Sequence, residues 1–253
     1  MQTFSEYFFG IDPTAAGVAY TWAVLDTQGG LVSLKGGDLD ALLAEIDSVD
    51  NCLAAVNGPP RPNLGLVRRK LTEEQPAVHL RGADMRLAEY LLRERGISVP
   101  PTSGRIEACA AWTQTAFEIH RCLSERNFAI FPQDGSDRQR LETNAHAVFC
   151  VLLGQIPLPR PTLEGRIQRQ LALYEGGLGI MDPMEFFEEI TRHKLLRGVL
   201  PTELLYTAEQ LDALAAAFTA WSVFARPDSR LLVGDREEGQ IILPVATLKD
   251  SYR

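Results

Sequence analysis

Apolar residues cluster first in Phe8-Phe9-Gly10-Ile11, a run that stops at Asp12-Pro13, and again from Val18 to Leu25 beyond a turn marked by Pro13 and Gly17. Short apolar runs bounded by Gly and Pro predict buried strands, so these two segments predict a β-hairpin with the Asp12 carboxylate at its tip. Gly29-Gly30 and Gly36-Gly37 bracket a third strand, Leu31 to Leu34. Behind Asp38, an N-cap residue type, Leu39, Leu42, Leu43 and Ile46 recur at helix spacing, and Cys52 to Val56 is again wholly apolar before Asn57-Gly58-Pro59-Pro60. A right-handed crossover through that helix sets the fourth strand parallel to the first, with Asn57 facing Asp12.

Further along, no period is sustained between Gly58 and Gly82, and the segment is rich in Pro, Gly and Arg, which predicts a mobile loop insertion over 58–83. Helical spacing returns in Asp84 to Arg95 and Arg105 to Glu125. Arg138 to Thr143 predicts a strand whose mixed polarity suits a sheet edge. Ala145 to Leu153 is apolar and helical, and broken helices from Pro161 to Leu200 predict a helical insertion over 155–206. Thr207-Ala208-Glu209-Gln210 has capping-box spacing, and Leu211, Leu214, Phe218 and Trp221 then form the stripe of a long helix that carries Asp212 early and small residues on its neighbouring face. Arg226-Pro227 ends it, and Leu231 to Pro244 predicts a small hairpin.

With 253 residues, 45% apolar and 23% charged, the chain is read as one α/β domain over 1–253 with a sizeable core. Apolar runs are too short for a membrane span, and the first residues lack a basic region followed by an apolar signal segment, so a cytoplasmic protein is expected. Cys52, Cys109, Cys122 and Cys150 lack the paired spacing of a zinc site and are expected reduced. A net charge of −8 disfavours nonspecific phosphate binding by the whole surface, but Arg61 to Arg95 holds eight Lys or Arg against five acids. Arg68, Arg69 and Arg81 are therefore the expected substrate contacts.

Gly10-Ile11-Asp12-Pro13 followed by Gly17 to Leu25 resembles the opening hairpin of ribonuclease-H-like nucleases, Holliday-junction resolvases in particular. Ala55-Val56-Asn57-Gly58-Pro59-Pro60, Arg81-Gly82-Ala83-Asp84, Leu141-Glu142-Thr143-Asn144-Ala145, Leu211 to Ala217 and Gly239 to Pro244 extend the likeness over nearly the whole chain. Together they resemble the domain-of-unknown-function 429 family, described as predicted nucleases of ribonuclease-H-like fold. The resemblance implies a mixed five-stranded sheet, the first three strands antiparallel and the fourth and fifth parallel to the first, flanked by helices. It also implies that Asp12, Asn57, Glu142 and Asp212 converge on Mg²⁺ or Mn²⁺, with Asp12, Glu142 and Asp212 catalytic. Clustered carboxylates about 4 Å apart repel by roughly 4 kcal/mol at an effective dielectric near 20, which a divalent ion resolves.

Asn57 departs from the nuclease pattern, which expects a second aspartate there. It keeps an oxygen but loses a charge, consistent with a single ion rather than a bridged pair. The expected activity is metal-dependent hydrolysis of nucleic acid. The alternative is a catalytically weakened protein that binds nucleic acid or a protein partner, and a homo-oligomer is compatible with either. Sugar kinases and actin-like ATPases share the core topology, but Asp12-Pro13-Thr14-Ala15 lacks their Gly-rich phosphate loop. His146 reads as a packed histidine bonded to backbone, and Arg81 and Asp84 fit a mutual pair at a helix start as well as a substrate contact.

Overall fold

A computed structural model describes residues 6–13, 19–74 and 84–253. Strand β1 (Tyr7–Asp12) pairs antiparallel with β2 (Tyr20–Leu25), which pairs antiparallel with β3 (Leu31–Gly37). Asp38 caps helix α1 (Leu39–Asp47) through the Ala41 N–H at 2.9 Å, and α1 carries the chain to β4 (Cys52–Asn57), parallel to β1. Beyond helices α2 (Leu66–Glu74), α3 (Leu87–Glu94) and α4 (Ala111–Glu125) come the short β5 (Ala129–Ile130) and β6 (Arg138–Thr143). Helices α5 (Ala145–Leu153), α6 (Leu163–Glu175), α7 (Glu185–Glu189), α8 (Arg192–Leu196) and α9 (Ala208–Ala225) precede the closing hairpin β7 (Leu231–Asp235) and β8 (Gly239–Leu243).

The sheet has eight strands rather than five, in the order β3-β2-β1-β4-β6-β8-β7, with β5 paired to β6 off that path. The closing hairpin extends the main sheet, because β8 pairs parallel with β6 at Glu142–Ile241. Strand β6 consequently lies inside the sheet and not at its edge. Its polar residues are accommodated by specific partners: Arg138 lies over the Phe128 ring, 4.9 Å to its centroid, and donates to the Ile46 carbonyl at 2.8 Å. Within segment 58–83, α2 occupies Leu66–Glu74.

Side chains of β1 and β4 alternate between two apolar layers, as buried strands do. Phe8, Leu53 and Ala55 face α5 and α9, while Phe9, Ile11, Ala54 and Val56 face α1 and α4. Helix α9 lies directly on β1. A Cβ at Gly10 would fall 2.0 Å from the Ala217 amide nitrogen and 2.1 Å from the Ala213 carbonyl oxygen, so only glycine allows this approach. Thr207 and Gln210 close the capping box that starts α9, at 3.2 Å and 2.8 Å.

Candidate functional site

Asp12 ends β1 two residues after Gly10 and therefore on the same face, toward α9. The contact at Gly10 seats the start of α9 over the strand end, which brings Asp212, one residue before Ala213, to the Asp12 side chain. Both carboxylates are nearly buried, 6% and 8% exposed. Burial, with the Asp212 charge adding to it, pushes the Asp12 carboxyl up to about 7. Burial also raises Asp212, opposed by the guanidinium of Arg160.

Asn57 at the end of β4 does face Asp12, and its Nδ2 donates to Asp12 Oδ1 at 2.7 Å. Its carbonyl oxygen accepts the Ala145 N–H, the first of α5, at 2.8 Å. That second bond fixes which end of the amide points at Asp12, since the reverse orientation would set an NH₂ against a backbone N–H. The expectation that Asn57 offers an oxygen ligand beside Asp12 is thus overturned: its oxygen is committed elsewhere.

Glu142 is also not a member of the group. In β6 it lies level with Val56, on the α1/α4 side of the sheet, while Thr143 pairs with Asn57 on the α9 side. A shift of one residue along a strand changes the face. Glu142 is buried and held by both terminal nitrogens of the buried Arg86, Nη1 donating to Oε2 at 2.8 Å and Nη2 to Oε1. Arg86 Nε also donates to Glu89 at 2.8 Å, so this is a buried ion-pair network linking α3 to β6. Among the described residues, no group of three or more His, Cys, Asp or Glu is arranged to hold a metal ion.

The residues that do surround Asp12 and Asp212 include two arginines absent from the sequence reading. Arg160 Nε donates to Asp212 Oδ2 at 2.7 Å, and Arg160 Nη1 lies 3.3 Å from Glu209, one turn before Asp212 on α9. Arg169 on α6 donates to the Leu158 and Gly165 carbonyls at 2.8 Å and 2.9 Å and stacks on Phe149, 5.3 Å to the ring centroid. Together with Asn57, Trp112 and His146 they line a cavity of about 470 Å³. Its only sequence signals are Glu209 three residues before Asp212, which places both on one helix face, and a single Arg between Pro159 and Pro161. His146 bonds no backbone group among the described residues; its Nε2 lies 3.7 Å from Cys150 Sγ, and burial and Arg169 lower its pKa.

Arg68 and Arg69 are exposed on α2 and do not line this cavity. Arg81 and the expected Arg81–Asp84 pair lie outside the described residues, as does His79. Asp84 accepts from Asn63 at 2.9 Å and Ser103 at 3.0 Å, which hold its carboxyl below the usual range. No helix among the described residues is long and apolar enough to cross a membrane.

No curated protein and no solved structure matches the chain. A family model does, over residues 10–238, a span that includes Asp12, Asn57, Arg160 and Asp212. The chain belongs to the family described as "Protein of unknown function (DUF429)".

Proposed function

We propose that the Asp12–Asp212 cavity is the active site of a divalent-metal-dependent phosphodiesterase acting on nucleic acid. The observation that carries this reading is two nearly buried carboxylates, both raised in pKa, facing one cavity that also holds Arg160 and Arg169. The strand order β3-β2-β1-β4-β6, antiparallel through the first three and parallel after, supports the ribonuclease-H-like reading of the fold, with β5, β7 and β8 as additions. Sites in such sheets form beyond the carboxyl ends of parallel strands, where Asp12 and Asn57 sit.

The donor set fits one ion and not two. Asp12 and Asp212 are its carboxylates, Asn57 turns its nitrogen inward, and Glu142 is on the other face; Mg²⁺ commonly needs only one or two carboxylates. Such an ion, when bound, supplies Lewis-acid activation of the phosphoryl group and of water. The chain's own groups do the rest. Arg160 and Arg169 receive phosphoryl oxygens and offset their charge. Burial pushes the Asp12 carboxyl up to about 7, so Asp12 must give up a proton for the ion to bind below that pH. Trp112 walls the cavity.

Melting curves with Mn²⁺ and a cleavage assay on labelled single-stranded DNA, duplex DNA and RNA test the proposal. Millimolar Mn²⁺ should raise the melting temperature of wild type but not of Asp12→Asn, and cleavage should require both the ion and Asp12. No Mn²⁺ shift and no cleavage on any of the three substrates would sink it. One observation favours the non-catalytic reading, a nucleic-acid or partner binder: Arg160 already neutralises Asp212 without an ion. That reading requires binding that is indifferent to Mn²⁺ and to Asp12→Asn.

A further inference from the structure

A second cavity, of about 250 Å³, lies on the opposite side of the sheet from Asp12. Its origin is a parting of strands along one edge of β6. The amino-terminal half of that edge pairs with β5 at Gln139 and Arg140, the carboxyl-terminal half with β8 at Glu142. Between these two partners, and beneath α4, the wall is left open. Ile130, Leu141 and Ile242 together with Phe117 make its apolar lining.

The charge at this place is unbalanced. Arg61, Arg140 and Arg236 line the cavity and none of them has an ion-pair partner among the described residues. The other ionic groups there are already matched: Glu142 is held by Arg86, and Arg121 by Glu125 at 2.5 Å. His120 is neutral. Its Nε2 meets the Gly58 carbonyl at 3.1 Å and so carries the proton, which leaves Nδ1 to accept from Arg140 Nη1 at 3.1 Å. These bonds fix the guanidinium of Arg140, while its Nη2 donates to no acceptor among the described residues. Burial and the charge of Arg61 both disfavour the charged form of Arg140, as expected where two cations approach without an anion between them.

From this geometry we infer that the cavity binds a nucleoside monophosphate, its phosphate held by Arg61, Arg140 and Arg236 and its base against the Phe117 and Ile130 wall. Guanidinium groups bind phosphate oxygens bidentately, and one fixed in advance loses less freedom on doing so. The volume lies just below the roughly 300–1,000 Å³ of drug-sized ligand sites, which suits a single nucleotide. This site is separate from the Asp12 cavity and does not depend on the activity proposed there.

Calorimetric titration of the full chain with AMP, adenosine, ribose 5-phosphate and inorganic phosphate tests the inference. AMP should bind, with adenosine and inorganic phosphate each weaker by at least about tenfold. Arg61→Ala, a change at an exposed side chain, and Arg140→Gln should each weaken AMP by a similar factor, while Arg160→Ala should leave it unchanged. A melting curve of each variant separates lost binding from lost folding, and Arg61→Ala remains decisive if Arg140→Gln is unstable. The inference is overturned if AMP fails to bind at millimolar concentration, if ribose 5-phosphate or inorganic phosphate binds equally well, or if Arg160→Ala and not Arg61→Ala abolishes binding. That last result would put the nucleotide in the Asp12 cavity.

Discussion

Asn57 holds Asp12 by its amide nitrogen while its amide oxygen is taken by the first N–H of α5, so one side chain ties the ends of β1 and β4 to the helix that follows β6. Asn57→Asp would keep the bond to Ala145 and replace the donor facing Asp12 with a third carboxylate. The metal-free variant should lose about 1.5–3 kcal/mol at neutral pH, the range for a hydrogen bond to a charged group, and Mn²⁺ should stabilise it by more than it stabilises wild type. Denaturant melts with and without Mn²⁺ check this. A loss unaffected by Mn²⁺ would mean that no cation reaches Asp12.

Asp12→Asn should stabilise the ion-free protein, in a pH-dependent way. The folded carboxyl titrates at about 7, above the roughly 3.9 of an unfolded aspartate, so the native state binds more protons between those values. Stability of wild type therefore falls as pH rises from about 4 to about 7, and the penalty is complete above that window. The variant removes it: a gain on the order of 1–3 kcal/mol at pH 8, vanishing near pH 4, is expected from chemical denaturation at both pH values. Equal stability of the two proteins at pH 8 would contradict the burial of an ionised Asp12.

The Arg86 network predicts a different pair of outcomes. Arg86→Met leaves Glu142 and Glu89 buried without their cation, which should cost about 3–5 kcal/mol. Glu142→Gln keeps a hydrogen-bond acceptor for Arg86 and should be milder, and because Glu142 lies across the sheet from Asp12 it should leave the Mn²⁺-dependent melting shift unaltered. A Glu142→Gln protein that folds but no longer responds to Mn²⁺ would restore Glu142 to the candidate site.

Gly10→Ala should be among the most damaging single-methyl changes available. The added Cβ meets backbone atoms of α9, which cannot turn aside as a side chain can, so the cost should exceed the roughly 1–3 kcal/mol of ordinary overpacking. Expression as insoluble protein, or a large fall in melting temperature, is the expected reading. A stable variant would mean that α9 can lift from β1.

The first three strands, α1, the buried β4 and the capped α9 were legible because each carries an uninterrupted apolar pattern with its own start or stop signal. Asn57 opposite Asp12 followed from the crossover alone. The side on which Glu142 lies is not legible, because β6 runs Arg, Gln, Arg and Leu with no clear inward series, and without that series nothing decides which of Glu142 and Thr143 turns to α9. Helix α2 was hidden by its charge, with Arg68, Arg69 and Lys70 in a nine-residue element between Gly65 and the residues that follow Glu74. Strands β7 and β8 read as a hairpin, but their junction with β6 is a single long-range pairing with no local trace. Arg160 had no pattern to betray it, because it belongs to neither helix nor strand.

That last circumstance bears on how the charge at Asp212 can be satisfied. Asp12 and Asp212 are fixed by β1 and α9, the most closely apposed elements of the fold, whereas their counter-charge is borne by a coil residue set between Pro159 and Pro161. The anions sit on regular elements, and the cation is a half-exposed side chain in a coil. Withdrawing Arg160 would leave the two carboxylates where they stand, so a guanidinium and a dissolved ion can compete for the same place without repacking the core.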